Sequence, residues 1–362
     1  MSIHLKDISL AQRKNSSLQN INLTFESGSL NILLGMRGLA SGKTSLLRVI
    51  AGLEKPNKGA VFFNKVDVTR LSVQMRNVAF VHQQFINYPH LTVRENISSP
   101  LQVAKIPKAI IEDKVETVAK QLNIYSCLDR FPTELSGGQM QRTALARALV
   151  KDARVILLDE PLLNLDYKLR EALRDDLRQL LRNSNMVAVY ATNDPNDALA
   201  LGGKVFLLDE GKLIQEGPIA DVYREPCNIS AVKMLNDPEI NLFEGVVNEN
   251  ELVFSSELHF PKSKAFAELE SGTYTFGIKP SHLSLLPSND DDFEFSMHVE
   301  LADISGSETF IHVANRHLNF LVHVAGVHEY KIDSPIKIYL PLHKMFVFDK
   351  EGKTILFPKS AV

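Results

Sequence analysis

The sequence predicts an α/β domain over residues 1–235 followed by a small all-β domain over residues 236–362, and three observations carry that reading. Apolar runs of strand length alternate with helical patterns through the first part of the chain, which argues for a largely parallel sheet covered by helices. Near Pro238 the helical patterns stop, and short strand-like runs separated by turn residues take over. Within the first region three polar runs stand at the ends of apolar segments: Gly42-Lys43-Thr44, Leu135-Ser136-Gly137-Gly138-Gln139, and Asp159-Glu160 after Val155-Ile156-Leu157-Leu158.

The elements follow in order. Residues 3–10, 18–25 and 30–34 read as strands, and residues 43–52 as a helix with Leu46, Leu47, Val49 and Ile50 on its apolar face. Strands are expected at 60–63 and 78–81, a polar-rich helical region at 93–129, and a further helix after Gly138. Strand 155–158, helix 167–181 and strands 186–191 and 205–208 complete the α/β domain. Beyond Phe243, runs at 244–247, 252–254, 274–278, 296–303, 309–313, 320–324, 336–340 and 346–348 predict a small barrel or sandwich. The acidic run at 290–292 reads as a solvated loop. His312, His317, His323 and His328, spaced by five, six and five, do not keep one strand face and so make a poor metal set.

Composition narrows the class. A chain of 362 residues with a net charge of −3 has no long-range pull toward nucleic acid. No run reaches the roughly 18–20 apolar residues that a membrane span needs, and the first residues show no apolar signal core. Two cysteines, Cys127 and Cys227, match no metal or redox spacing. A reducing, cytoplasmic setting is expected, with any link to a membrane running through a partner.

The three polar runs carry the chemistry. A strand that ends in a glycine-rich turn and re-enters a helix presents backbone N–H groups to a phosphate, and Gly42-Lys43-Thr44 between strand 30–34 and helix 43–52 fits that arrangement, so a P-loop NTPase domain is expected. Gly38, Ser41, Gly42, Lys43, Thr44 and Ser45 are the candidate ATP-binding residues: Lys43 reaches the β- and γ-phosphates and the Thr44 hydroxyl holds Mg²⁺. The loop has an unusual length, with six residues between Gly35 and Gly42 and three between Gly38 and Gly42, where the common motif has four. An outward bulge that still cradles phosphate and a weakened site are the two readings of that length. Asp159, at a strand end, is placed to orient Mg²⁺, and Glu160 to polarise an attacking water. Ser136, Gly137, Gly138 and Gln139 form a second phosphate nest at a helix start, 92 residues after Lys43 when counted to Leu135.

In order, spacing and content these runs resemble the ATP-binding-cassette (ABC) family, over residues 1 to about 235. The resemblance implies head-to-tail dimers in which the phosphate loop of one subunit faces Leu135–Gln139 of the other, with ATP and Mg²⁺ between. It also implies that Gln83 contacts Mg²⁺ and water, and that Leu165-Asp166 crosses the dimer interface. A helical subdomain at about 84–150 is implied as well, with residues 84–134 receiving the permease. The switch histidine of that family is replaced here by Asn193, in Tyr190-Ala191-Thr192-Asn193-Asp194, leaving a shorter, uncharged donor for the γ-phosphate. No aromatic residue stands near Ser9–Arg13 to stack adenine; Arg13 could stack instead.

The text Gly277-Ile278-Lys279-Pro280 through Phe348-Asp349-Lys350 looks like the oligonucleotide-binding-like (OB-like) regulatory barrel of carbohydrate-uptake ATPases, which serves regulation and dimer contacts. Gln83–Pro89, Asn164–Glu171 and Ala198–Gly203 are similar to the glycerol-uptake cassette ATPases of proteobacteria, which pair two different ATPase subunits. The resemblance thus implies an importer subunit on the cytoplasmic face of the inner membrane. Its partners are a second ATPase subunit (a heterodimer is favoured over a homodimer), the transmembrane permease, and indirectly a periplasmic solute-binding protein. Two functions stand side by side: an ATP-hydrolysing subunit, and a nucleotide-binding structural partner with a degenerate site. The second expects Asn193→Ala to cost little.

Overall fold

The computed structural model describes every residue except 12–15, 37–40, 152, 164–166, 183–185, 256, 290–291 and 359–362. The chain divides into two units, Met1–Val222 and Tyr223–Val362. Along the first run β1 (Ser2–Ala11), β2 (Ser16–Glu26), β3 (Leu30–Leu34), α1 (Lys43–Ala51), β4 (Lys58–Phe63), β5 (Val66–Asp67), α2 (Val73–Arg76), β6 (Val78–Val81), α3 (Val93–Val103), α4 (Lys108–Gln121), α5 (Gly137–Leu149), β7 (Val155–Asp159), α6 (Tyr167–Arg182), β8 (Val187–Thr192), α7 (Pro195–Leu201), β9 (Lys204–Asp209) and β10 (Lys212–Pro218).

The first unit holds two sheets rather than one largely parallel one. Six strands lie in the order β10-β9-β3-β8-β7-β6, and all neighbours except β10 pair in parallel. A separate antiparallel sheet has the order β2-β1-β4-β5. Chain connectivity explains the split: a connection as short as that between β1 and β2 returns a strand antiparallel, whereas parallel neighbours need a long crossover. Every residue of β3, β7 and β8 is buried, as expected for strands covered on both faces. Leu46, Leu47 and Ile50 of α1 join Leu33, Leu157, Val189 and Phe206 in one apolar core that also takes in Ile8, Ile21 and Phe25 of the antiparallel sheet.

Capping fixes where the helices of residues 92–149 begin. The Thr92 hydroxyl accepts from Glu95 N while the Glu95 carboxylate accepts from Thr92 N, and Ser136 and Gln139 repeat that reciprocal pair at α5. Such a box satisfies two otherwise orphaned donors of a first turn.

The second unit is built mainly of β-strands. One antiparallel sheet runs Leu258–Pro261, Glu251–Ser255, Asn241–Val247, Gly272–Ile278, Phe346–Phe348, Thr354–Leu356; the other runs Asn319–Ala325, Glu308–Ala314, Phe293–Ser305, Pro335–Leu340. Both contribute to one core, in which Phe243 meets Phe254 and Phe320 edge-on at 5.2 Å between ring centres, a favoured aromatic geometry. A short helix, Ile229–Met234, belongs to this unit through Val232, which packs with Ile240, Phe346 and Phe348. Among the described residues no helix is long and apolar enough to cross a membrane.

Candidate functional site

The register of the parallel sheet collects the predicted residues. Leu34 of β3 pairs with Thr192 of β8, Asp159 of β7 with Ala191, and Val81 of β6 with Leu158. The carboxyl ends of four neighbouring strands are therefore level along one edge of the sheet, the usual place for a ligand in an open α/β sheet. After β3 comes the phosphate loop, after β8 Asn193, at the end of β7 Asp159 and Glu160, and two residues past β6 Gln83.

The two ends of the loop close on the lysine. Lys43 is 6 % exposed, and its Nζ donates to Gly35 O at 3.2 Å and to Ser41 Oγ at 2.9 Å. Gly35 is required by this closeness: a Cβ there would lie 2.7 Å from Ser41 Cβ and 2.8 Å from Leu208 O. Gly42 caps α1 in the left-handed region at φ 91°, a conformation that glycine adopts without penalty, and Ser45 lies half-buried in the first turn. Gly38, Arg13, Leu165 and Asp166 lie outside the described residues. The bulged and weakened readings of the loop both turn on 37–40.

Acidic groups face the lysine. Glu160 Oε1 is 3.9 Å from Lys43 Nζ. Gln83 Nε2 donates to Glu160 Oε2 at 3.4 Å. Glu160 itself has φ 47° and is held there by its N–H, which donates to Ala191 O at 2.9 Å. Left-handed backbone at a side chain of this size is uncommon and costs about 1–2 kcal/mol; here it turns the chain sharply at the end of β7. Burial pushes the Lys43 ammonium below its ordinary pKa, against the pull of Glu160 and Asp159.

The hydroxyl of Thr44 donates to Asp159 Oδ1 at 3.1 Å. Burial pushes the Asp159 carboxyl above its ordinary value, with Thr44, Lys43 and Arg48 opposing. These two oxygens fit Mg²⁺: a hydroxyl and a carboxylate are hard ligands for that ion, and burial leaves the carboxylate, 3 % exposed, with little water to solvate its charge. A carboxyl whose pKa is raised on folding lends stability only below the ordinary carboxylate range, and that contribution is lost as pH rises through the raised value. At neutral pH the ionised Asp159 is therefore a cost. Asp159→Asn is expected to raise the melting temperature of the nucleotide-free chain, and to respond less than the native chain to added ATP with Mg²⁺. Thermal scans with and without Mg²⁺-ATP check both halves, and a lower melting temperature in the free variant would overturn the first.

Ser136, Gly137, Gly138 and Gln139 form a second cluster at the start of α5. Ser136 Oγ accepts from Gln139 N at 3.3 Å, and Gln139 Oε1 accepts from Ser136 N at 3.0 Å. Ser136 and Gly137 are exposed, and a Cβ on Gly137 would meet nothing within 4 Å. The chain's own packing does not require glycine there; an incoming group that needs the space would.

Sequence reasoning missed the charged cluster of Arg170, Asp194 and Asp197 beside Asn193. The signal was present in Asp194-Pro195, an N-cap followed by proline at the first helical position, which marks α7.

Comparison with known proteins gives the family. The ABC transporter family model matches residues 18–163. An sn-glycerol-3-phosphate import ATP-binding protein, UgpC, of Brucella abortus is 32 % identical over 347 residues, covering 93 % of this chain and 94 % of that one. An Fe(3+) ions import ATP-binding protein, FbpC, of Photobacterium profundum is 34 % identical over 281 residues, covering 78 % of this chain and 79 % of that one. A dimeric post-hydrolysis structure of the ATP-binding cassette MJ0796 bound to ADP and Pi superimposes with a TM-score of 0.54 at 28 % identity, covering 60 % of this chain and 98 % of that one. With a phosphate loop, an Asp-Glu strand end and a serine-glycine helix start in one α/β unit, and with a relative 32 % identical over 93 % of its length, this chain belongs to the ABC transporter family, among its ATP-hydrolysing subunits.

Proposed function

We propose that this chain hydrolyses Mg²⁺-ATP to energise import of a small polyol or carbohydrate, with glycerol as the solute. It would work as a peripheral subunit at the cytoplasmic face of a bacterial inner membrane. The observation that carries the hydrolytic part is the meeting of Lys43, Thr44, Asp159, Glu160 and Gln83 at the level ends of β3, β7 and β6. Lys43 exchanges its bonds to Gly35 and Ser41 for the β- and γ-phosphate oxygens. Gln83 holds the Glu160 carboxylate, and Glu160 takes a proton from the attacking water. The Asn193 amide donates to the γ-phosphate. Mg²⁺, when held by Thr44 and near Asp159, neutralises charge on the phosphate oxygens. Ser136 and the first-turn N–H groups of α5 bind the γ-phosphate of the nucleotide on a second ATPase subunit, whose own helix start does the same for this one. Permease subunits dock on residues 84–134, and a periplasmic binding protein acts through them.

The solute reading rests on the likeness to glycerol-uptake ATPases and on the relative named for sn-glycerol-3-phosphate import. It is tested by measuring ATP turnover of the assembled transporter with its binding protein and glycerol, glycerol 3-phosphate or Fe(III) in turn. Stimulation by glycerol alone is the expected result, and stimulation by either of the others replaces it.

A structural partner with a degenerate site, in a heterodimer, is the second reading. Asn193 in place of a histidine favours it. Asn193→Ala separates the two. A donor aimed at developing charge is worth about 10²-fold or more in rate, so a hydrolysing site loses at least about tenfold in kcat. A loss under about twofold carries the structural reading instead.

A further inference from the structure

Behind Asn193 lies a knot of buried charge that the hydrolytic scheme does not use. Asp194 and Asp197 are 5 % and 1 % exposed. Arg170, on α6, donates from Nε to Asp197 Oδ1 at 3.1 Å and from Nη2 to Asp197 Oδ2 at 2.7 Å. The same Nη2 lies 2.7 Å from Asp194 Oδ2. Asp197 also accepts from the hydroxyls of Tyr190, at 3.3 Å, and Thr192, at 3.4 Å. The Thr192 hydroxyl in turn accepts from Asp194 N at 3.0 Å, and Asp194 Oδ1 caps α7 by accepting from Asn196 N at 2.8 Å. Both chain neighbours of Asn193 are thus bound to one guanidinium-centred network, while Asn193 itself stands half-exposed at the end of β8.

We propose that Arg170 is a positioning residue for hydrolysis: its fork on Asp197 and its third contact to Asp194 fix the direction of the Asn193 amide toward the γ-phosphate. The inference rests on the reading of Asn193 given above. An amide carries no charge, so its contribution depends wholly on distance and angle, and a displacement of about 1 Å at a reacting centre costs about 10²-fold. The geometry needs arginine. Two carboxylates this deeply buried demand a cation, and a planar guanidinium serves three oxygens at fixed angles, whereas an ammonium keeps the charge and loses the fork.

The test is a double-mutant cycle on the full chain in its assembled transporter, reading kcat and KM for ATP. Arg170→Lys is expected to lower kcat about tenfold and leave KM within about twofold. Asp194→Asn keeps a good cap and weakens the contact to Arg170, so it provides a second, gentler lesion with the same kcat-only signature. Arg174→Lys, at a residue 3.6 Å from Asp197 Oδ1, should leave kcat within about twofold. The deciding number is the double variant: Arg170→Lys with Asn193→Ala should be no slower than Asn193→Ala alone, because a residue acting through Asn193 has nothing left to position. Losses that multiply, or a KM that rises as kcat falls, assign Arg170 a general structural role and overturn the proposal. If Asn193→Ala is itself silent, the reading of Asn193 fails first, and that result is distinct from a costly Asn193→Ala beside a silent Arg170→Lys.

Discussion

Glu160→Gln is expected to stop ATP turnover while leaving ATP binding in place. The substitution keeps the shape of the side chain and its ability to accept from Gln83, which lies 3.4 Å from Glu160 Oε2, so nothing in the pocket needs to move. What it removes is the lone pair that takes the proton from water. General-base catalysis contributes about 10²–10⁴-fold, and phosphate release should fall by that factor. The backbone argues for the same role. Glu160 sits at φ 47°, and glycine or asparagine would occupy that region at lower cost. Strain of this kind at a charged side chain is kept where position matters more than stability. Lys43, 3.9 Å from Glu160 Oε1, loses one neighbouring negative charge in the variant and gains those of the nucleotide, so affinity for ATP should hold within a few-fold. Steady-state phosphate release and equilibrium binding of a fluorescent ATP analogue check the two halves. Turnover within twofold of the native chain would mean that another group activates water.

Much of this site was legible because its residues lie at the ends of apolar runs. Val155–Asp159 is buried throughout, so the change from apolar to acidic text marked the strand end, and the sheet did the rest by levelling that end with those of β3, β6 and β8. The period of α1 and its glycine cap were equally plain. Other parts were hidden for physical reasons. The antiparallel sheet of β1, β2, β4 and β5 shares one core with the parallel sheet, and apolar content alone does not tell which neighbours pair. Leu258–Pro261 and Thr354–Leu356 are short edge strands, whose pairing comes from the sheet they join rather than from their own pattern. Arg170 lies more than twenty residues before Asp194 and Asp197 in the sequence; only their convergence in space makes them a buried network. The division of labour is consistent: backbone periodicity announces elements, whereas side-chain clusters assembled from distant elements need the fold.

Ser136→Arg and Lys43→Ala should each abolish turnover alone and restore part of it when the two variants are mixed. In a head-to-tail dimer each ATP lies between the loop of one subunit and the α5 start of the other. Mixing the two variants in one dimer puts both lesions in one composite site and leaves the other site native. With equal amounts and free exchange, about half of the dimers are mixed, and each keeps one of two sites, so turnover near one quarter of native is expected if sites fire independently. The structure makes the lesions separable. Ser136 is exposed and bonded to Gln139 at 3.0–3.3 Å, within its own helix turn, so replacing it costs the cap, about 1 kcal/mol, and leaves the bond from Thr44 to Asp159 untouched. Lys43 is bonded to Gly35 and Ser41, and its loss touches no contact of α5. At Gly137 an added Cβ would meet nothing within 4 Å, and that open space gives the arginine of the first variant room to occupy the nest without disturbing its own subunit. Absence of recovery in a mixture shown to contain dimers of this chain would place the serine-glycine helix start in service of its own subunit's nucleotide. Recovery that appears only when a second, different ATPase subunit is supplied would instead identify that subunit as the partner across the interface.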